Sequence, residues 1–233
     1  PSVEGINFKA MKGQTIGVIG GTGSGKSSLV NLIPRLYDAT QGEVLVDGVN
    51  VKDYDIEALR NKVGIVMQKA VLFKGTIREN MWMGKKGATD EQIDEALEIS
   101  QSKEFVDSKQ GRLDYVIEQG GKNLSGGQRQ RLTIARAIVR KPDVLILDDS
   151  ASALDFATDA ALRKAIRGMN NSPTVFIVSQ RAASLMYADL IIVLDDGQVA
   201  GMGTHDELLA NCEVYKEIYE SQFKKADSEG GVA

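Results

Sequence analysis

Thr15-Ile16-Gly17-Val18-Ile19, running into Gly20-Gly21-Thr22-Gly23-Ser24-Gly25-Lys26-Ser27, is the stretch whose reading decides the fold. The first five residues are mostly apolar and β-branched on successive positions, as in a strand buried on both faces. The glycine-rich loop fits G-x-x-x-x-G-K-[ST], and behind it Leu29, Val30, Leu32 and Ile33 recur at helical spacing. Strand, loop and helix in that order suit a phosphate group. Glycines let backbone N–H groups turn inward around anionic oxygens, and a helix N-terminus adds a favourable dipole. Gly20, Gly21, Thr22, Gly23, Ser24, Gly25, Lys26, Ser27 and Ser28 are therefore expected to line a nucleotide phosphate site. Lys26 is expected to reach the β and γ phosphates, and Ser27 to offer its hydroxyl to Mg²⁺, which prefers oxygen ligands. A glycine turn that is only flexible needs no Lys-Ser at the start of an amphipathic helix.

Working outward, apolar runs at Val63–Met67, Val144–Leu147, Thr174–Val178 and Leu190–Leu194 predict further strands, most of them separated by helical stretches. The alternation predicts an α/β domain with a largely parallel sheet. Asp47-Gly48 and Asp196-Gly197 each sit between strand-like runs and predict hairpins, hence a peripheral antiparallel subsheet. From Lys69 to Arg140 the pattern turns helical, with helices predicted over Thr89–Phe105 and Gln128–Arg140 and no strong strand signal. The expected organisation is one domain over 1–233. Its core comprises 1–68 and 141–233, and an inserted helical subdomain spans 69–140. The N-terminus reads as strand-like, and the polar stretch Lys224–Ala233 as a frayed tail.

With 42% hydrophobic and 26% charged residues among 233, the chain can bury a core, which argues against disorder. A net charge of −4 with dispersed basic residues leaves no footprint for nucleic acid. The single Cys212 excludes an internal disulfide and cannot alone build a zinc site, which fits a reducing compartment such as cytosol. No apolar run is long enough to span a bilayer, so direct membrane insertion by this chain is not expected. Pro1-Ser2-Val3-Glu4-Gly5 lacks the regions of a signal peptide, and the missing initiator Met reads as a piece of something longer.

Two further motifs carry chemistry. Val144–Leu147 ends in Asp148-Asp149, placing carboxylates where ligands of open α/β sheets bind, beyond the C-terminal ends of strands. An Asp pair there also suits a turn. The phosphate loop upstream favours metal, with Asp148 reaching Mg²⁺ through water. Leu124-Ser125-Gly126-Gly127-Gln128 opens a helix with Leu132, Ala135, Ile138 and Val139 on one apolar face. Ser125 and Gln128 fit a capping box. Capping alone does not demand two glycines, which cost helix stability but permit close approach to a ligand.

Leu124–Gln128 resembles the LSGGQ signature of the ABC ATPases, and nearly the whole chain follows that family's motif order. Gln68 is similar to the Q-loop glutamine, and Ser152-Ala153-Leu154-Asp155 to the D-loop. The run from Gln68 through Leu72-Phe73-Lys74-Gly75-Thr76-Ile77-Arg78-Glu79-Asn80 looks like that of exporters. The resemblance implies a P-loop NTPase (RecA-like) core binding ATP and Mg²⁺, with Ser27, Gln68 and Asp148 at the metal and Gln68 also catalytic. It implies a head-to-tail dimer in which Ser125 and Gly127 touch the γ-phosphate held by the partner, with Gly126, Gln128 and Asp155 in the same nucleotide-binding set. ATP closes such a dimer, and hydrolysis reopens it to drive transmembrane domains from the cytoplasmic face of the plasma membrane. A soluble ABC ATPase of translation or DNA repair is the alternative, and a small-molecule kinase a more distant one.

The sequence departs from that family at two positions. Asp149 stands where competent members carry the glutamate that polarises the attacking water, and Gln180 where a switch histidine should meet the γ-phosphate. A carboxylate one methylene short is retracted by roughly 1 Å, and misplacement of that order can cost about a hundredfold in rate. Gln180 can hydrogen-bond but cannot carry a proton or a positive charge. The only histidine, His205, lies between Thr204 and Glu207 of a capping box and reads as a surface helix-start residue. The pattern resembles the degenerate subunit of heterodimeric exporters, implying a different partner chain that carries the glutamate and histidine. A homodimer with two slow sites is the nearest variant. Ile117-Glu118-Gln119-Gly120-Gly121 replaces the usual Gly-Glu-Arg-Gly element of exporters, and Phe8 aligns better with the strand before the phosphate loop than with an adenine-stacking aromatic.

Overall fold

The apolar runs become strands in the computed structural model, which describes residues 2–150 and 153–229, with 223–229 described by backbone alone. In chain order the elements are β1 (Thr15–Gly20), α1 (Lys26–Asn31), β2 (Leu45–Val46), β3 (Val49–Asn50), α2 (Ile56–Lys62), β4 (Val63–Val66), β5 (Gly75–Thr76), α3 (Ile77–Trp82), α4 (Asp90–Ile99) and α5 (Lys103–Asp107). There follow β6 (Val116–Ile117), α6 (Gly126–Ile138), β7 (Val144–Asp148), α7 (Phe156–Arg167), β8 (Thr174–Val178), β9 (Leu190–Asp195), β10 (Gln198–Gly203), α8 (His205–Asn211) and α9 (Glu213–Glu229). The chain divides into two units, Pro1–Arg60 with Thr174–Ala233, and Asn61–Pro173.

In the first unit β1 is flanked by parallel neighbours. Ile16 and Val18 pair with Phe176 and Val178 of β8 on one side, and with Leu190 and Ile192 of β9 on the other. Every residue of β1 and β8 is buried, which explains why neither sequence alternates. β10 adds antiparallel to β9 across Asp196-Gly197, and β2 pairs antiparallel with β3 across Asp47-Gly48. At both turns the two central residues have positive φ, 51° and 76° at Asp47-Gly48 and 43° and 79° at Asp196-Gly197. That is the type I′ geometry for which Asp-Gly is suited. Residues 2–14 form no strand, contrary to the expectation for the N-terminus. Glu4 instead donates its amide to the Gly197 carbonyl at 2.9 Å. Phe8 lies outside any strand and packs edge-on against Phe176, 6.2 Å between ring centroids.

In the second unit β4 runs parallel to β7, Val63 opposite Val144 and Val66 opposite Leu147. Leu132, Ile134, Ala135 and Ile138 of α6 and Ile93, Ala96 and Leu97 of α4 are buried, and the two helices pack together. The helix predicted over Thr89–Phe105 is broken. Gln101 takes φ 60°, Ser100 donates its hydroxyl to the Leu97 carbonyl at 3.1 Å, and Arg131 binds the Gln101 carbonyl at 2.6 Å. A long-range arginine contact thus fixes a corner that local propensity does not signal. β5 and β6 form a short antiparallel pair inside the region that carries no strong strand signal in the sequence. At the other end of the chain, backbone helix continues through Glu229 where a frayed tail was expected from Lys224, and residues 230–233 lie outside the described ones.

Candidate functional site

The phosphate loop is built by β1. Because β1 pairs with β8 and β9, its C-terminal end emerges beside theirs, and the Ser179 amide donates to the Val18 carbonyl at 3.1 Å. The backbone passes so closely that a Cβ at Gly20 would lie 2.1 Å from the Leu194 carbonyl oxygen and 2.5 Å from Ser24 Oγ. Gly25 caps α1 in the left-handed region, φ 94°, and offers no side-chain cap. The helix is shorter than the apolar spacing predicts. After Asn31 it tightens, with Leu32 and Ile33 amides bonding the carbonyls three residues back, Leu29 and Val30.

Lys26 is buried at 9% exposure, and its ammonium folds back onto the loop, donating to the Gly20 carbonyl at 2.9 Å and the Gly21 carbonyl at 2.6 Å. Ser24 is buried, and its Oγ has no hydrogen-bond partner. Gly23, Gly25, Lys26, Ser27 and Ser28 line a cavity of about 360 Å³ together with Ser2, Asp196 and Gly197. The last two read in the sequence only as a turn. The β1–β9 pairing brings that turn to the loop, and nothing local announces it. A narrow glycine cradle, a buried hydroxyl lacking a partner and an adjacent ammonium suit a phosphate chain. Gln180 follows β8 in the same unit and is exposed.

In the second unit the parallel register does the positioning. Gln68 and Asp149 each lie two residues beyond the paired Val66 and Leu147, and Gln68 Nε2 donates to Asp149 Oδ2 at 3.3 Å. Asp148 is buried at 7% exposure, while Asp149 takes φ 46°, a sharp corner that Asp tolerates better than most residues. Among the described residues no group of three or more His, Cys, Asp or Glu gathers as a metal cluster. Within this unit Gln68 and Asp148 offer amide and carboxylate oxygens. That chemistry fits Mg²⁺, which takes one or two carboxylates and leans on substrate phosphates.

Ser125, Gly126, Gly127 and Gln128 open α6 as the capping pattern predicts. Ser125 Oγ accepts from the Gln128 amide at 3.2 Å, and Gln128 Oε1 accepts from the Ser125 amide at 3.1 Å. Gly126 and Gly127 form the first turn, and a Cβ at Gly127 would come within 3.4 Å of the Ala153 carbonyl. Asp155 is the N-cap of α7, accepting from the Thr158 amide at 2.9 Å and the Thr158 hydroxyl at 2.8 Å. Those bonds, the backbone one foremost, hold its carboxyl below the usual carboxylate range. Ser152 of the D-loop lies outside the described residues. His205 begins α8 beside the Thr204–Glu207 capping box as expected, but it is buried at 9% exposure rather than on the surface, with Nδ1 2.8 Å from the Tyr215 hydroxyl.

Comparison with known proteins agrees with the fold. The profile of the ABC transporter family matches residues 3–152. The chain is 44% identical, over 98% of its length, to the uncharacterized ABC transporter ATP-binding protein YfiB of Bacillus subtilis, covering 39% of that protein. It is 39% identical, over 95% of its length and 38% of the relative's, to a Staphylococcus aureus chain whose name proposes a multidrug export ATP-binding/permease protein. A solved bacterial Atm1-family ABC exporter with ATP bound superposes with a TM-score of 0.89 at 32% identity, over 94% of this chain and 39% of that one. The chain thus spans about two fifths of the length of the relatives it matches. Since the matched stretch runs from before β1 to beyond β7, taking in the phosphate loop, Gln68, Asp149 and the head of α6, this chain belongs to the ABC transporter family.

Proposed function

We propose that this chain is the ATP-binding domain of an exporter, that it binds MgATP through the phosphate loop, and that its own site turns nucleotide over slowly. The observation that carries the reading is the phosphate cradle, with its glycine-only approach at Gly20, the buried Ser24 hydroxyl and the Lys26 ammonium. In this reading Lys26 leaves the Gly20 and Gly21 carbonyls and turns to the β and γ phosphates. Mg²⁺, when bound, offsets phosphate charge and orients the γ-phosphate, with Ser27, Asp148 and Gln68 as its protein ligands. Asp149 sits where the attacking water is oriented. Its short side chain, tied to Gln68 across 3.3 Å, holds that water poorly. Gln180 offers the γ-phosphate a hydrogen bond but no proton and no charge.

Binding is kept and cleavage impaired, so the chain acts as one half of an asymmetric pair. Ser125, Gly126, Gly127 and Gln128 at the head of α6, with Asp155, complete the site of a second, different chain that carries glutamate and histidine at the two altered positions. Residues 69–140 form the helical subdomain of this arrangement. Val71, Phe73, Trp82 and Met83 are 40–52% exposed there and support a surface facing transmembrane domains at the cytoplasmic side of the membrane. Among the described residues no helix is long and apolar enough to cross a membrane, so the export reading assigns that task to other segments.

The test is made on the whole transporter purified from membranes. A second, different ABC chain is expected to accompany this one, and a pure homodimer would contradict the asymmetric pair. With the partner's catalytic glutamate disabled, Asp149→Glu combined with Gln180→His is expected to raise turnover by about a hundredfold. No increase places the impairment elsewhere.

A further inference from the structure

Beyond Gln180 itself, the structure shows what holds it. The chain leaves β8 at Val178 and turns through Ser179-Gln180-Arg181 into a 3₁₀ turn at Ala182–Ser184. Two side chains pin the main chain of this corner. Ser179 Oγ accepts from the Arg181 amide at 2.9 Å. Gln222, on α9 and 40 residues further along the chain than Ala182, spans the corner with both ends of its amide: Oε1 accepts from the Ala182 amide at 2.9 Å, and Nε2 donates to the Gln180 carbonyl at 2.7 Å. Ala182 is fully buried, so its N–H needs such an acceptor.

The register of α9 aims Gln222 at this corner. Tyr215, Ile218, Tyr219 and Gln222 fall at i, i+3, i+4 and i+7, one face of the helix. Tyr215 is fully buried and bonded to His205, which fixes that face inward, and α9 packs on β9, β10 and the 3₁₀ turn. An asparagine at 222 would fall short, and a glutamate could accept but not donate. The primary amide supplies one acceptor and the donors to match a carbonyl and an N–H two residues apart.

We infer that Gln222 is a positioning residue for the γ-phosphate contact, its amide clasping the main chain of Gln180 and Ala182 so that helix α9 sets where Gln180 presents its side chain. The inference rests on the reading of Gln180 as the group facing the γ-phosphate. Gln222 touches no nucleotide. It acts through the backbone on either side of Arg181, which makes α9 a handle on the switch position.

The test uses the whole transporter with Gln222→Met, which keeps the side chain's bulk and removes both hydrogen bonds, alongside Gln180→Ala and the double variant. The readouts are dissociation of labelled MgATP and, separately, of MgADP, which has no γ-phosphate. Gln222→Met and Gln180→Ala are each expected to speed MgATP release by about tenfold, the scale of one net hydrogen bond. Both are expected to leave MgADP release unchanged, and the double variant to be no faster than either. Hydrogen exchange at the Ala182 amide is the independent measurement, accelerating in Gln222→Met and not in Gln180→Ala. Unchanged MgATP release in Gln222→Met, with Gln180→Ala still fast, overturns the inference and leaves the reading of Gln180 standing. Equal acceleration of MgATP and MgADP, additive effects in the double variant, or an unaltered Ala182 amide also overturn it. A silent Gln180→Ala overturns the reading of Gln180, and the inference with it.

Discussion

A methyl group at Gly20 would press into the Leu194 carbonyl, whereas one at the neighbouring Gly21 meets nothing within 4 Å. This contrast yields a residue-scale prediction. Gly20→Ala is expected to lower stability by about 1–3 kcal/mol in urea unfolding and to weaken MgATP binding, because strand and loop must part to make room. Gly21→Ala is expected to stay within about 0.5 kcal/mol of the parent. Equal effects would mean that the close approach at Gly20 is unimportant. At this scale the sequence was legible where spacing along strands governs. The sequence places Gln68 and Asp149 each just beyond a strand, whereas the pairing of those two strands, which brings the side chains to 3.3 Å, is not legible in it. The return of Lys26 onto its own loop carbonyls was not legible, since it depends on the three-dimensional path of the glycines.

Elements tell the same story with different failures. Asp-Gly announced both hairpins because a type I′ turn needs positive φ at two successive residues. The break between α4 and α5 stayed hidden, since Arg131 holds the Gln101 carbonyl from 30 residues away and no breaker residue marks the spot. The burial of His205 stayed hidden for a similar reason. The sequence reads it as a surface helix-start residue, but Tyr215 of α9 packs over it. Burial, with Tyr219 adding to it, pushes the Tyr215 phenol up from 10.0 to about 12. A raised phenol pKa favours the protonated folded form, so this contribution is fully present below pH 10 and is lost as pH rises towards about 12. The stability advantage of the parent over Tyr215→Phe is therefore expected to shrink across that window. An advantage that stays constant from pH 9 to 12 would mean that the phenol is not held neutral by the fold.

At the scale of the whole molecule, the two altered positions lie in different units, Gln180 in one and Asp149 in the other, while each unit keeps its remaining motif residues. In the proposed asymmetric pair, nucleotide binding draws on the cradle and Lys26 and cleavage on Asp149 and Gln180, so the first can persist when the second fades. The most direct measurement follows γ-labelled ATP bound at this chain's site in the whole transporter, with the partner's phosphate-loop lysine replaced so that only this site holds nucleotide. The account predicts tight retention of MgATP in a magnesium-dependent manner, with the label still on intact ATP after the unaltered transporter has turned over many times. Release of labelled phosphate as fast as the unaltered transporter turns over would contradict it.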